Sequence, residues 1–430
     1  MKRMKLLVLP ALVTGLAACG SDGDNGGSNG NGGGTEPTVV TVQGRITSNT
    51  SWTANNTYLL RGAVFVDAGA TLTIQAGTRV VGEKSSTGTL IVARGGRIQA
   101  NGTSSAPIVM TSDQPVGRRA RGDWGGLIIN GNAPINVPGG QATGEGDTGA
   151  YGGSDPNDNS GALQYVRVEF AGIEFSPDNE LNGIAFQGVG AGTTVDHVQV
   201  HFNKDDGLEF FGGTVSAKYI VTTAIGDDSF DWTEGWQGRG QFWVAQQKGD
   251  DADQGFESDS NAENNELLPR SSPVIYNATL IGAPGTQDGS ESDIGMLLRE
   301  GTAGQLYNFI VIGFKEEGVN IDGQSSIDQG LGDALFMRSA IIFNNVRGPF
   351  DADADRVARR WVDINLVDPQ IADPYNVAAP NWQPNAAGPA RNGAVPVVNP
   401  PSDGFFEPVT FIGAIGGTDW TRGWTTAAQN

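Results

Sequence analysis

Two stretches, Lys204-Asp-Asp-Gly-Leu-Glu-Phe210 and Gly226-Asp-Asp-Ser-Phe-Asp-Trp232, decide the fold, because they align position by position. Each carries two acids, a small residue, an apolar residue, a further acid and an aromatic. Glu180-Leu-Asn-Gly-Ile-Ala-Phe186 precedes them. Ala252-Asp-Gln-Gly-Phe-Glu-Ser258, Ser292-Asp-Ile-Gly-Met-Leu-Leu298 and Lys315-Glu-Glu-Gly-Val-Asn-Ile321 follow on the same plan. The small residue falls at Gly183, Gly207, Ser229, Gly255, Gly295 and Gly318, in steps of 24, 22, 26, 40 and 23. An apolar residue always comes next: Ile184, Leu208, Phe230, Phe256, Met296 and Val319. Short β-rich runs recurring at this period, each separated by Gly, Asn or Asp turns, describe one rung of a solenoid. The single long step leaves room for a loop through residues 261–270.

The pattern extends toward the N-terminus. Asp67-Ala-Gly-Ala-Thr-Leu-Thr-Ile-Gln-Ala-Gly-Thr78 is similar to Ala93-Arg-Gly-Gly-Arg-Ile-Gln-Ala-Asn-Gly-Thr103, and this opening resembles the start of many secreted right-handed β-helices. A propeller blade would repeat at roughly 40–50 residues, and a sandwich need not repeat at all. No amphipathic helix is read after residue 39. The expected fold is therefore all-β: a single-stranded right-handed parallel β-helix over residues 39–345, capped at its start by the segment through Trp52. Its roughly ten to twelve rungs at ~4.8 Å spacing give a rod of about 50 Å. Residues 346–430, Ala/Pro/Asn-rich in part, read as an irregular C-terminal cap or extension packed along the rod.

Composition agrees. Of 430 residues 64 are Gly and 21 Pro, about a fifth of the chain, which is turn chemistry repeated on every rung. One Cys permits no intramolecular disulfide, and one Cys with two His is too few for a Cys/His zinc site. A net charge of −21 excludes a phosphate-binding nucleic-acid partner and favours cations. The two histidines, His197 and His201, read as structural.

The repeat puts the acids in columns. One column holds Asp205, Asp227, Asp253, Asp293 and Glu316. The next holds Asp206, Asp228, Gln254, Ile294 and Glu317, and two positions past the small residue come Glu209, Asp231 and Glu257. Like charges one rung apart repel by on the order of 1–3 kcal/mol per neighbouring pair. Solvent, raised pKa values, a local Lys or Arg, or a hard cation can relieve this. Oxygen-only ligands at flexible spacing favour Ca2+, and Asp205, Asp206, Asp227, Asp228, Asp231 and Asp253 are the candidate ligands. A solvated acidic face with turn-forming Asp is the plainer alternative. Lys204, Trp232 and Trp236 lie beside these acids in sequence and are the candidate glycan contacts, with a place in the core as the competing reading for the tryptophans. Asp351-Ala-Asp-Ala-Asp355 resembles the start of an EF-hand loop, but Arg356 stands where Gly is needed and Val362 where the closing Glu is needed, so no EF-hand is read.

The N-terminus is an address. Lys2, Arg3 and Lys5 precede an apolar stretch over residues 6–18, and Leu16-Ala-Ala-Cys19 resembles a bacterial lipobox. Residues 1–18 read as a lipoprotein signal peptide, Cys19 as the lipidated residue, and residues 19–38 as a flexible Gly/Ser/Asn tether. Gly20, rather than Asp, after the Cys favours the outer membrane by this resemblance. Asp22 and Asp24 are similar to acidic surface-export signals.

Two family resemblances follow. Gly122-Asp-Trp-Gly-Gly-Leu-Ile-Ile-Asn-Gly-Asn-Ala-Pro134, Gln164-Tyr-Val-Arg-Val-Glu-Phe-Ala-Gly172, Asn203-Lys-Asp-Asp-Gly207 and Gly295-Met-Leu-Leu-Arg-Glu-Gly301 resemble bacterial outer-membrane β-helix lipoproteins of pectin-lyase-like fold, a family that implies no settled activity. More narrowly, Asn203-Lys-Asp-Asp-Gly207 followed by Gly226-Asp-Asp-Ser229 is similar to the paired acidic motifs of polygalacturonases, which would cast Asp206, Asp227 and Asp228 as catalytic acids and base. The next rung departs from that family, with Lys248-Gly-Asp-Asp251 in place of Gly-His-Gly and no Arg-x-Lys after it. A pectate-lyase-like enzyme would instead use Ca2+ on these acids with an Arg or Lys base. The reading is a lipid-anchored outer-membrane binding or structural module that takes Ca2+ and a glycan or another surface protein. Its alternative is a polysaccharide hydrolase or lyase working in the Asp205–Asp231 cleft. The anchor carries its own test: Cys19→Ser should move the protein from the membrane to the soluble fraction on cell fractionation, and an unchanged membrane fraction would refute it.

Overall fold

The computed structural model describes residues 37–176, 179–284 and 291–430. The signal segment, Cys19 and nearly all of the proposed tether lie outside them. Among the described residues, 24 strands form one continuous parallel ladder, a right-handed parallel β-helix.

The sequence repeat is the register of this ladder. Ile184, Leu208, Phe230, Phe256 and Met296 are direct cross-strand partners on successive rungs. The same column runs back through Leu127, Leu90 and Val64. All of these side chains are buried in one core. The small residue before each has a steric cause. A Cβ on Gly207 would stand 2.4 Å from the carbonyl oxygen of Ser229, and one on Gly295 would stand 2.4 Å from that of Gly318. The turn of one rung rests directly on the turn of the next, and only a small residue lets the backbones close to that distance.

Each rung also carries a longer strand bent at one residue. Thr194–His201, Ser216–Thr223, Arg239–Gln246, Val274–Ile281 and Gly304–Ile312 form the middle of that series. The bend is made by a left-handed residue at His197, Tyr219, Phe242, Asn277 and Asn308, with φ between 53° and 61°. Such a backbone costs a non-glycine residue roughly 1–3 kcal/mol. In-register stacking offsets the cost. The ring of His197 lies 4.3 Å from both Tyr165 and Tyr219, and Tyr219 lies 4.9 Å from Phe242. Further along, the Nδ2 of Asn308 donates to the Oδ1 of Asn277 at 3.5 Å. His197 is therefore part of a stack. His201 is buried with its Nδ1 bonded to Thr223 and its Nε2 to the Ala428 carbonyl. Burial holds its pKa down at about 4, so the ring is neutral.

Two boundaries, and the presence of helices, differ from the sequence reading. The segment through Trp52 is the first rung and not a separate cap, since Thr38–Ile46 pairs in parallel with Asn56–Val66 and Thr50–Trp52 with Thr71–Gln75. The ladder continues past Asn345, because Val362–Asn365 pairs with Leu335–Phe343. Two short helices also occur, Gln324–Leu331 and Ala352–Ala358, and they bring Ile327, Ala354 and Val357 onto the last rungs of the core. The alternating acids of Asp351-Ala-Asp-Ala-Asp355 are the entry to the second helix. The Asp351 carboxylate accepts the backbone N–H groups of Asp353 and Ala354, an N-cap.

Residues 366–430 form few regular elements and pack along the bent strands. Outward-facing amides hold their backbone by two-point contacts: Gln199 with Thr426, Gln241 with Glu407, and Asn308 with Val398. Trp424 and Trp382 bury themselves against the same face. Inside the rod Phe230 stacks 4.6 Å from Trp243 and meets Phe256 edge-on at 5.4 Å. Phe230→Ala is expected to cost about 3–5 kcal/mol, read as a lowered denaturation midpoint with the fold retained.

Candidate functional site: an acidic cleft above a buried carboxylate row

The turns that precede the short strands carry both acidic columns, and the structure gives the two columns different work. In the inner column, the Asp206 Oδ1 accepts the backbone N–H of Asp228 at 3.0 Å, and the Asp228 Oδ1 accepts that of Gln254 at 2.5 Å. The Gln254 Oε1 then accepts the N–H of Ile294 at 3.1 Å. Each side chain ties its rung to the next, and the series stops where Ile294 offers no acceptor.

The outer column faces solvent. Asp205, Asp227 and Asp253 line an open cleft of about 250 Å3 with Glu180, Lys204, Asp251 and Glu291. At the C-terminal end of the same column the acids are paired, Asp293 with Lys315 at 3.0 Å and Glu316 with Arg347 at 2.8 Å. At the cleft, the Lys204 Nζ reaches Asp251 at 2.8 Å, and Arg121 and Lys248 hold Asp250 at 3.0 and 2.6 Å. Among the described residues no ion pair reaches Asp205, Asp227 or Asp253. Burial, and then the neighbouring charge of Asp227, push Asp205 up to about 8. Asp253 is raised to about 6 by burial and then by Asp227, and Asp227 is raised by burial against the opposing pull of Lys204.

A third group lies beneath. Strand alternation turns Phe230 and Trp232 inward and Asp231 outward, but segments folded over this sheet face cover the outward position. Glu209 and Asp231 are direct partners on neighbouring rungs, and both are buried. Carboxylate oxygens of Asp206, Glu209 and Asp231 lie within 4.8 Å of one another. The same holds for Asp205, Asp206 and Asp227, and for Asp227, Asp228 and Asp253. One rung on, Arg299 neutralises Glu257 at 2.8 Å and Asp259 at 2.9 Å. Burial, with repulsion from neighbouring acids, drives Asp206, Glu209, Asp228 and Asp231 well above the usual carboxylate range.

The sequence-derived candidates sort accordingly. Asp205, Asp227, Asp253 and Lys204 reach the cleft. Asp206, Asp228 and Asp231 lie below its surface, so of the proposed catalytic trio only Asp227 faces open space. Trp232 and Trp236 are corrected outright as glycan contacts. Both are fully buried, with Trp232 stacked in the column of Phe186 and Phe210, and Trp236 lying 4.2 Å from Phe210. The alternation Phe230-Asp-Trp232 already carried that signal, since residues two apart in a strand share a face. Glu209 belongs with the ligand candidates through its ladder partner Asp231. Asn182 stands at the repeat position of Asp206 and Asp228, so the alignment already places it on the preceding rung, whereas Glu145 and Glu234 come from outside the aligned segments and had no such signal.

A parallel β-helix bearing a row of carboxylates on one turn line and the sheet beside it is the class that fold and site define. The chain belongs to the family described as pectate-lyase-like β-helix domain, which matches residues 44–397. No curated protein and no solved structure matches it.

The Tyr151 hydroxyl donates to the Glu234 Oε2 at 2.8 Å. Burial nevertheless raises Glu234 to about 7. A carboxyl raised on folding contributes stability that is complete below its unfolded pKa, near 4.5, and is lost as pH rises through 7. Glu234→Gln keeps an acceptor for Tyr151 and removes the titration. It should be more stable than wild type at pH 8 by on the order of 1–3 kcal/mol and indistinguishable at pH 4.5, checked by denaturant unfolding across that range.

Proposed function

We propose that the protein is a lipid-anchored polysaccharide-binding β-helix of the outer membrane, and that its open cleft takes an acidic glycan through a bridging Ca2+. The observation that carries the reading is the contrast within one column. Asp293 and Glu316 have cations, whereas Asp205, Asp227 and Asp253, which line the cleft, have no ion pair among the described residues. Carboxylates that have no ion pair at an open face, with only the longer-range pull of Lys204 on Asp227, suit a hard divalent cation, which keeps coordination sites for ligand oxygens. Lys204, which pairs with Asp251 at 2.8 Å, sets a positive charge at the rim. Family membership supports a polysaccharide-related role. Binding is favoured over turnover because Asp206 and Asp228 are buried and each has an oxygen engaged by the backbone of the next rung. A glycosidase needs a pair of carboxyl groups free to flank the scissile bond. The Leu16–Cys19 run supports the anchor, and among the described residues no helix is long and apolar enough to cross a membrane.

Titration calorimetry with polygalacturonate tests this reading. Wild type should bind in Ca2+ and not in EDTA, and Asp227→Asn with Asp253→Asn should weaken binding at least about tenfold, or ~1.4 kcal/mol. Cleavage of the polymer by wild type, abolished in the same variant, would replace the binding reading with a hydrolase or lyase.

A further inference from the structure

The covered sheet face holds an arrangement that the cleft does not explain. Asp206, Glu209 and Asp231 converge from two adjacent rungs, each at least nine-tenths buried. Their nearest oxygens fall within 4.8 Å of one another. Three acids alone would say little, since turns in solenoids are rich in Asp. Two orphaned oxygens say more. The Oδ1 of Asp231 is buried without a hydrogen-bond donor. Asn182, which is 1% exposed and holds the repeat position of Asp206 on the preceding rung, donates its Nδ2 to the Glu209 Oε2 at 2.5 Å. Its own Oδ1 is also buried and has no donor. A buried acceptor left unsatisfied costs about 1–3 kcal/mol, and here two belong to side chains that each neighbour Glu209.

Neighbouring groups show what is missing. One rung on, the guanidinium of Arg299 binds both Glu257 and Asp259. Among the described residues no cation stands within ion-pair distance of Asp206, Glu209 or Asp231. The available donors are all oxygens, from three carboxylates and a carboxamide. Around Ca2+, at 2.3–2.6 Å from each ligand, oxygens on opposite sides stand roughly 4.6–5.2 Å apart, which accommodates the observed spread. Mg2+ would draw opposite ligands to roughly 4.0–4.2 Å and would demand a regular octahedron, a stricter fit for donors fixed on three successive rungs.

We infer that Asp206, Glu209 and Asp231, with the carboxamide of Asn182, form a buried Ca2+ site that ties three successive rungs of the β-helix together. This goes beyond the glycan-binding reading and does not require it. The cleft ion would exchange freely and meet ligand, whereas this ion is enclosed and structural. The two share a wall at Asp206, so the closing test uses residues on one side only.

The experiment measures bound metal and thermal unfolding of the detergent-solubilised full-length protein after gel filtration into metal-free buffer. Wild type and the cleft variant Asp227→Asn/Asp253→Asn should each retain about one Ca2+ per chain by mass spectrometry of the metal, with Mg2+ failing to displace it. Both should melt at lower temperature after prolonged EDTA treatment. Glu209→Gln/Asp231→Asn should retain none, and its melting should not respond to EDTA. Neutral amides relieve the repulsion, so this variant is expected to fold. Should it not, the wild-type measurements decide alone. Wild type that holds no Ca2+ and melts identically with and without EDTA overturns the inference, as does Ca2+ retained by the Glu209→Gln/Asp231→Asn variant. Loss of polygalacturonate binding in the cleft variant with its Ca2+ retained separates this site from the cleft.

Discussion

Everything in this molecule depends on how closely one rung sits on the next. At Gly207 the backbone approaches the following turn so nearly that a Cβ would stand 2.4 Å from the Ser229 carbonyl. That approach puts equivalent residues of successive rungs side by side from Val64 to Met296. Once rungs are held in register, whatever stands at a given position on one rung meets its counterpart on the next. Apolar residues become a continuous core, aromatic rings become a stack, amides become a ladder and acids become a column of like charge.

Like charge in register is the cost of this architecture, and the protein meets it in several ways. In the inner column the carboxylates of Asp206 and Asp228 accept backbone N–H groups from the next rung. Toward the C-terminal end, Lys315, Arg347 and Arg299 supply cations. Two places are left over, the open cleft at Asp205, Asp227 and Asp253 and the covered group at Asp206, Glu209 and Asp231. Burial and repulsion between neighbouring acids raise the pKa values of the carboxyl groups at both places, and a hard cation is a counter-charge that such oxygens would suit.

The bent strands meet a different constraint. A left-handed residue in the middle of each keeps the rung's corner in place, and non-glycine residues tolerate it because their side chains stack on one another. The final segment of the chain lies over that corner. It is read by Gln199, Gln241 and Asn308 through backbone contacts, much as an added strand would be read by its neighbour. Its own residues need little regularity, because the rod supplies the spacing, and its sequence consequently shows no period.

By itself the sequence determined the fold and the register. The alignment of Gly183, Gly207, Ser229, Gly255, Gly295 and Gly318 is a local pattern repeated, and a solenoid has almost only nearest-neighbour contacts, so local pattern and tertiary contact coincide. It also determined which acids form columns. Only the tertiary structure decided which of those acids are open and which are covered. Asp205 and Asp206 are adjacent in sequence and indistinguishable in type, yet one faces the cleft and the other tethers the next rung. The tryptophans beside them went inward, following strand alternation. Asn182 shares the repeat position of Asp206, but Glu145 and Tyr151, which lie near Glu209, come from segments outside the repeat. Burial and unmet charge are properties of that packing, and no periodicity along the chain encodes it.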